Sequence, residues 1–290
     1  MSTFLQLLFS GLTVGATYAM AALGFSLVYN ASGVINFAQG EFIMLGGMFA
    51  AALTAVGLPL PAAIAVAVVA VAVVGLLVDR LAIEPARDAD VISLVIVTIG
   101  VSMILRGSVE IGLGKGSHAL RHFSGETPIA VMGATILPQS LWVMAVTGAV
   151  VAALALFFGR TRLGKGILAT AHNRLAAQLV GVDVATVLLL AFGLSAALGA
   201  VGGILIAPIA TTSYDAGVML GLKGFVAATL GGLGSGVGAV AGGVILGLIE
   251  TFTAGYLSSA YKDAVPFVLV LVILVVRPRG LFGLGPSTRV

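Results

Sequence analysis

Long apolar runs separated by short polar breaks occupy almost the whole of this chain. They cover roughly residues 5-29, 37-57, 61-80, 91-113, 138-158, 186-210, 224-250 and 264-276. Most approach or exceed the about 20 apolar residues that a helix needs to cross a bilayer. The pattern predicts an all-α polytopic integral membrane protein with about eight hydrophobic helical segments. The last run is short, and a helix starting near Ser259 lengthens it. The first run follows Met1-Ser2-Thr3-Phe4-Leu5-Gln6, which lacks the basic lead of a secretory signal, so it is expected to stay as the first helix.

The seventh run is interrupted. Leu230-Gly231-Gly232-Leu233-Gly234-Ser235-Gly236-Val237-Gly238 carries five glycines between 231 and 238, enough to split a helix in two. The cations require the same break. Arg80, Arg87, Arg160, Arg162, Lys165, Arg174, Arg277, Arg279 and Arg289 can share one side, against Lys115, Arg121, Lys223 and Lys262 on the other. Nine against four makes the first side cytoplasmic by the positive-inside rule. The N-terminus is then outside and the C-terminus inside, which requires the seventh run to begin and end outside. A re-entrant hairpin or two short spans satisfies this, with the broken backbone held against protein or a water-filled cavity in the interior of the assembly. Loops 114-137 and 211-223 become extracytoplasmic.

Composition narrows the class. Of 290 residues 60% are hydrophobic and 9% charged, where a soluble domain carries about 25% charged residues. The longest polar stretches are too short for a separate core, so 1-290 is expected to be a single transmembrane domain. The absence of cysteine excludes disulfides, thiolate metal sites and cysteine nucleophiles. A net charge of +3 is no nucleic-acid signal, and the expected surroundings are membrane lipid. His118 and His122 are four apart but have no third ligand nearby, so no metal is expected. Gly-Ser-Gly at 234–236 lacks the Gly-Lys-Ser/Thr of a phosphate loop, and no cofactor is expected.

Several features remain as candidates. Gly232/Gly236, Gly238/Gly242, Gly243/Gly247 and Gly199/Gly203 have the spacing that lets helices approach closely in lipid. Asn36-Phe37-Ala38-Gln39-Gly40-Glu41-Phe42 is a polar island between two apolar runs. Asn36 can cap the next helix with Gln39 as its capping-box partner, and Glu41 then meets the positive end of the helix dipole. The same residues could instead line a transport route or a gate. Arg106 and Glu110 are four apart, as a neutralising pair would be, and Glu250 ends the seventh run at an interface. In the long polar loop 160-184, Leu168, Ala171, Leu175, Leu179 and Val182 recur at helical spacing behind a basic lead-in. Such a helix suits either an anionic lipid surface or a groove on a partner protein.

Taken in order, these segments resemble a known family over essentially the whole chain. They are Gly-Leu-Thr-Val-Gly-Ala-Thr-Tyr-Ala at 11-19, Asn36 to Glu41, the loop 160-184, Leu230 to Ser235, and Arg277-Pro278-Arg279-Gly280-Leu281-Phe282-Gly283. The family is the permease subunits of branched-chain amino acid ABC importers, in particular the shorter of the two paired permeases.

The resemblance implies a multi-pass protein of a bacterial inner membrane, with loop 160-184 and the C-terminus cytoplasmic. It implies ATP-driven uptake of an amino acid delivered by an extracytoplasmic solute-binding protein. A second permease subunit would complete the pathway, and two cytoplasmic ABC ATPase subunits would hydrolyse ATP. This chain, without a Walker A sequence, is then not an enzyme. The coupling helix would include Arg174, Leu175, Ala176, Ala177, Leu179 and Gly181. Leu175 stands where the general importer signature has Glu, and the later Ile-x-Leu-Pro is missing. Pathway or gate candidates are Asn36, Phe37, Gln39, Gly40, Glu41, Gly232, Gly234 and Ser235. Related permeases carry urea, short amides or other small solutes. An ion-coupled transporter or channel with broken helices is the alternative of another class; scarce embedded charge and the basic loop 160-184 speak against it.

Overall fold

The computed structural model describes residues 2–87, 89–131 and 133–283. Eleven α-helices account for most of them: α1 Ser2–Ser32, α2 Gln39–Ala55, α3 Leu60–Val78, α4 Val91–Leu113, α5 Pro138–Arg160, α6 Arg162–His172, α7 Arg174–Leu179, α8 Val184–Ala210, α9 Ala216–Gly231, α10 Gly236–Tyr256 and α11 Ala264–Val276. A wide π-helical turn, Asp79–Ile83, closes α3, its bond running from Glu84 N to Asp79 O at 2.8 Å. A small antiparallel hairpin, β1 Ile129–Val131 with β2 Ala134–Ile136, lies inside the polar loop before α5.

Among the described residues, six helices are long and apolar enough to cross a membrane: α1, α3 with its π turn, α4, α5, α8 and α10. α9 and α11 are shorter apolar helices, and α2 has 17 residues. The eight expected segments are therefore six long helices plus shorter ones. The seventh run is divided, as its glycines demanded, into α9 and α10. Helix in α9 begins at Ala216, so more than half of the expected loop 211-223 is helical.

Side-chain contacts fix the directions. Gly255 of α10 packs on Leu7, and Phe4 lies 5.4 Å from Phe252, so the start of α1 meets the end of α10. Asn30, near the end of α1, donates to Gly234 O at 2.8 Å, where α10 begins. Leu27 and Ala31 of α1 join Ile167 and Val184 in one apolar cluster, which brings α6 and the start of α8 to that same end. Arg80, Arg87, Arg160, Arg162, Lys165, Arg174, Arg277 and Arg279 all collect there. Arg289, grouped with them by sequence, lies outside the described residues. The opposite end holds Gln6, which accepts from Thr135 N at 2.7 Å, and the His118–Thr212 bridge. α9 runs toward the cation-rich end and α10 runs back, so the pair begins and ends at the opposite face, as the charge tally required.

The core lies around α1, which is buried on nearly every side by α10, α8, α9 and α5. In lipid, apolar surface gains little by leaving its solvent, and small residues that permit close backbone approach supply much of the attraction. Gly243 and Gly247 of α10 meet Ala19 and Gly15 of α1; Gly238 and Gly242 meet Gly231 and Ala227 of α9; Gly199 and Gly203 of α8 meet Phe42 and Ile43 of α2. Gly232/Gly236 is no packing pair: Gly232 is a turn residue at φ +105°, and a side chain at Gly236 would meet open space.

Candidate functional site

The polar island forms a buried knot. α2 starts at Gln39, and its N-cap position is Ala38, without a side-chain cap. Asn36 does not cap the helix as expected. Its Oδ1 accepts from Ala38 N at 3.0 Å in a local turn, while its Nδ2 is buried without a partner. Gln39 does not turn back to Asn36 either, because the interior supplies stronger partners. Its Nε2 donates to Ser195 O at 3.2 Å, and the Ser195 hydroxyl donates to its Oε1 at 2.5 Å. Gly24 and Gly199 leave the room this amide needs.

Gly40 lies where any Cβ would strike the Gly217 carbonyl, so α2 and α9 touch backbone to backbone. Glu41 is buried; Oε1 accepts from the Ser102 hydroxyl at 2.8 Å, and Oε2, beside Gly217, has no partner. Phe37 N donates to Thr98 Oγ1 at 3.2 Å, and its ring lies 5.6 Å from that of Phe225. Thr98, Ser102 and Arg106 are thus one polar row on α4, two of whose members engage the island. Arg106 and Glu110 do not pair. Glu110 is 2.9 Å from Lys115 instead, because it lies in the last turn of α4 and the following loop folds back on it. That hydrogen bond from Lys115 to Glu110 holds the lysine's pKa above its ordinary value.

Gly232, Gly234 and Ser235 lie elsewhere. Gly234 has φ +87° and receives Asn30, and Ser235 Oγ accepts from Gly238 N at 3.0 Å as the N-cap of α10. Gly232 is packed against Arg279 O and Gly283. The break is therefore the turn of a helical hairpin at the cation-rich end, not an interruption deep inside the bundle. A cap residue and two positive-φ glycines let the chain reverse there at little conformational cost.

Loop 160-184 holds two helices rather than one. Asn173 takes an extended conformation (φ −156°, ψ 103°) that ends α6, and its Oδ1 then caps α7 by accepting from Ala176 N at 3.0 Å. The expected face survives the break except at Val182, which is half-buried. Gly164, Ile167, Thr170 and Ala177 face the bundle, while Leu168, Ala171, Leu175 and Leu179 face outward. Leu175 is 67% exposed and Leu179 80%. Arg174 and Ala176 are exposed too, and Gly181, at φ +88°, turns the chain toward α8. Asp183 caps α8 from Oδ1 to Ala185 N at 3.0 Å, and Thr186 donates its hydroxyl to Oδ2 at 2.6 Å, which holds this carboxyl below the usual range.

One cluster escaped the sequence reading. Lys223 is not in an external loop but buried in α9, and Glu250 is not at an interface but buried in α10. Lys223 Nζ donates to Glu250 Oε1 and to Asp263 Oδ1, each at 2.8 Å, and the Tyr18 hydroxyl donates to Glu250 Oε2 at 2.8 Å. The available signal was a lone cation in an apolar run followed by a lone acid in the next, since ionisable groups inside helical bundles seek each other.

Several long apolar helices packed through glycines, a buried polar knot at the start of α2 and an exposed apolar helix at the cation-rich end define a polytopic membrane permease. Residues 7–274 match the model of the branched-chain amino acid transport system / permease component family. The chain belongs to that family. It is 35% identical over 294 residues to the high-affinity branched-chain amino acid transport system permease protein LivH of Escherichia coli K12, spanning 97% of this chain and 96% of that one. To BraD of Pseudomonas aeruginosa, a permease protein of the same description, it is 34% identical over 296 residues, with the same coverage. The ribose import permease protein RbsC of Escherichia coli K12 is 28% identical over 281 residues, 93% of this chain and 84% of that one. Among solved structures, PsaBC from Streptococcus pneumoniae in complex with Fab aligns with a TM-score of 0.53 at 15% identity, over 96% of this chain and 93% of that one, and shares the fold.

Proposed function

We propose that this chain is one membrane subunit of an ATP-driven importer for branched-chain amino acids, seated in a bacterial inner membrane with α6, α7 and the cation-rich end in the cytoplasm. A second permease subunit completes the pathway, an extracytoplasmic solute-binding protein delivers the cargo, and two cytoplasmic ATPases supply the energy. The observation that carries this reading is α7. Its first turn is capped and Ala177 is anchored, 2% exposed, against the bundle, yet Leu175, Leu179 and Val180 point away from it at the charged, water-facing end. Apolar side chains gathered there mark a protein contact. Whole-length identity to permeases named for branched-chain amino acids supports the cargo.

In this reading α7 is the element the ATPases push. Closure of the ATPase pair would move α7 as a unit, because Gly181 and Asn173 give it a joint at each end. Glycine contacts between α2, α8 and α9 let the bundle hold two packings, one open to each side. The buried knot of Asn36, Phe37, Gln39, Gly40 and Glu41 lies at the start of α2, where these helices meet, and serves as a gate. The turn Gly232, Gly234 and Ser235 supports the cytoplasmic end of the hairpin.

The test is Leu179→Glu, which alters an outward side chain and leaves the bundle untouched. Uptake of leucine into proteoliposomes carrying the whole complex should fall at least tenfold, or lose its link to ATP hydrolysis, while membrane insertion is unchanged. Normal coupled uptake by this variant would sink the assignment of α7. Uptake driven by an ion gradient through this chain alone would sink the importer reading itself. The likeness to a ribose permease favours a second cargo class, with selectivity set by the receptor; the ligand of the partner receptor decides.

A further inference from the structure

A cavity of about 250 Å³ opens between the π turn of α3, α7 and the start of α8. Its chemistry is divided. Asp79, 4% exposed, lines it, and the carboxylate's Oδ1 is buried without a hydrogen-bond partner. The other two acids on the wall are committed: Glu84 to Arg80 and Asp183 to the cap of α8. Arg87 and Arg174 line the same cavity, and neither comes within ion-pair distance of Asp79 or of any other acid among the described residues. The rest of the wall is largely aliphatic, from Ile83, Val182, Val184 and Leu188.

A buried carboxylate oxygen left unpaired is costly, and such a group usually has a partner to meet. Here the complementary charges line the cavity without touching one another. That arrangement fits a small zwitterion with a hydrocarbon arm. A volume below the roughly 300–1,000 Å³ of drug-sized sites restricts the ligand further. The wide turn at Asp79–Ile83 places Asp79 and Ile83 on the cavity wall together.

We propose that this cavity binds a free aliphatic α-amino acid, with its ammonium on Asp79, its carboxylate on Arg87 and Arg174, and its side chain against Ile83, Val184 and Leu188. Ammonium to buried carboxylate is a charge-assisted bond, and guanidinium is the cation suited to a carboxylate fork. The ligand ties the end of α3 to Arg174 of α7 and so fixes α7 against the bundle. A ligand bound more tightly in one position of α7 shifts the population toward that position. Under the function proposed above, cargo accumulated in the cytoplasm thereby slows its own import. This feedback rests on that function; the binding does not.

The test uses the assembled permease–ATPase complex without receptor, first in nanodiscs, with radiolabelled L-leucine as probe. Saturable binding is expected, displaced by L-valine but not by leucinol, which has no carboxylate, nor by 4-methylpentanoate, which has no ammonium. Asp79→Asn should weaken it roughly tenfold or more, by the loss of a charged hydrogen bond. Arg87→Ala, on an exposed loop, should also weaken it without any threat to folding. In proteoliposomes with receptor outside and ATP inside, preloaded leucine should slow initial uptake, and Asp79→Asn should abolish the slowing while keeping the unloaded rate. Leucine binding independent of Asp79, or equal competition by leucinol, overturns the site, as does a side chain of the ATPase filling the cavity in the assembled complex. Absence of uptake into unloaded vesicles, with Asp79-dependent binding intact, sinks the importer reading and leaves the site standing.

Discussion

Lys223 Nζ lies 2.8 Å from Glu250 Oε1, and this ion pair, 9% exposed on each side, joins the two arms of the α9–α10 hairpin. Removing one member strands the other charge in a bundle core. Lys223→Met alone should therefore cost about 3–5 kcal/mol, whereas Lys223→Met with Glu250→Leu should recover much of that. Thermal unfolding in mild detergent measures both. Equal loss in the single and double variants would show that the pair is not coupled.

Asp263 adds a pH dependence. The hydrogen bond from Lys223 holds its carboxyl below the ordinary range in the folded protein. A depressed folded value means that the stabilisation is present above the unfolded pKa and is lost as pH falls through the folded one. Asp263→Asn should lower the melting temperature at pH 7, and the gap from the parent should begin to close only as pH falls below about 4, toward the depressed folded value. A melting-temperature gap that stays constant below that point would contradict the pairing.

Gln39 and Ser195 test the knot at the start of α2. Each single replacement by Ala leaves a buried polar group unmatched and should cost about 1–3 kcal/mol. Because they share one set of bonds, the double variant should cost less than the sum by about 0.5–3 kcal/mol. Additive losses in a thermal-unfolding cycle would mean that the two side chains act separately.

Glycine positions separate contact from open space. A Cβ at Gly203 would strike the Ile43 carbonyl, while one at Gly236 meets nothing. Gly203→Leu should leave little monodisperse protein after detergent extraction, and Gly236→Ala should behave like the parent. Size-exclusion profiles distinguish them, and a normal Gly203→Leu profile would refute the close packing of α2 on α8.

The long helices were legible because a bilayer imposes length and apolar composition on each run separately. The break at 231–238 was legible because five glycines and the charge tally demanded it independently. What escaped depends on residues far apart in sequence. Glu41 finds Ser102, Gln39 finds Ser195 and Lys223 finds Glu250 only once helices are packed. Local signals misled wherever such a partner won: Asn36 and Gln39 carry the letters of a capping box, but the interior offered Gln39 a better match. In loop 160-184 the spacing was helical, and although Asn173 divides it into two helices, Leu168, Ala171, Leu175 and Leu179 all face outward. The packing adds which side is buried: Gly164, Ile167, Thr170 and Ala177 seat the two helices on the bundle and leave the apolar face outside.

The enclosure of α1 has a consequence for biogenesis. Its main partner is α10, through Gly11 and Gly15 against Gly247 and the backbone around it. α1 must therefore wait in the translocon or in lipid for more than two hundred residues of further synthesis, with Thr13, Thr17 and Tyr18 not yet sheltered. Nascent chains halted before α10 should be substrates for membrane proteases, and release of the chain from quality control should coincide with the arrival of α10.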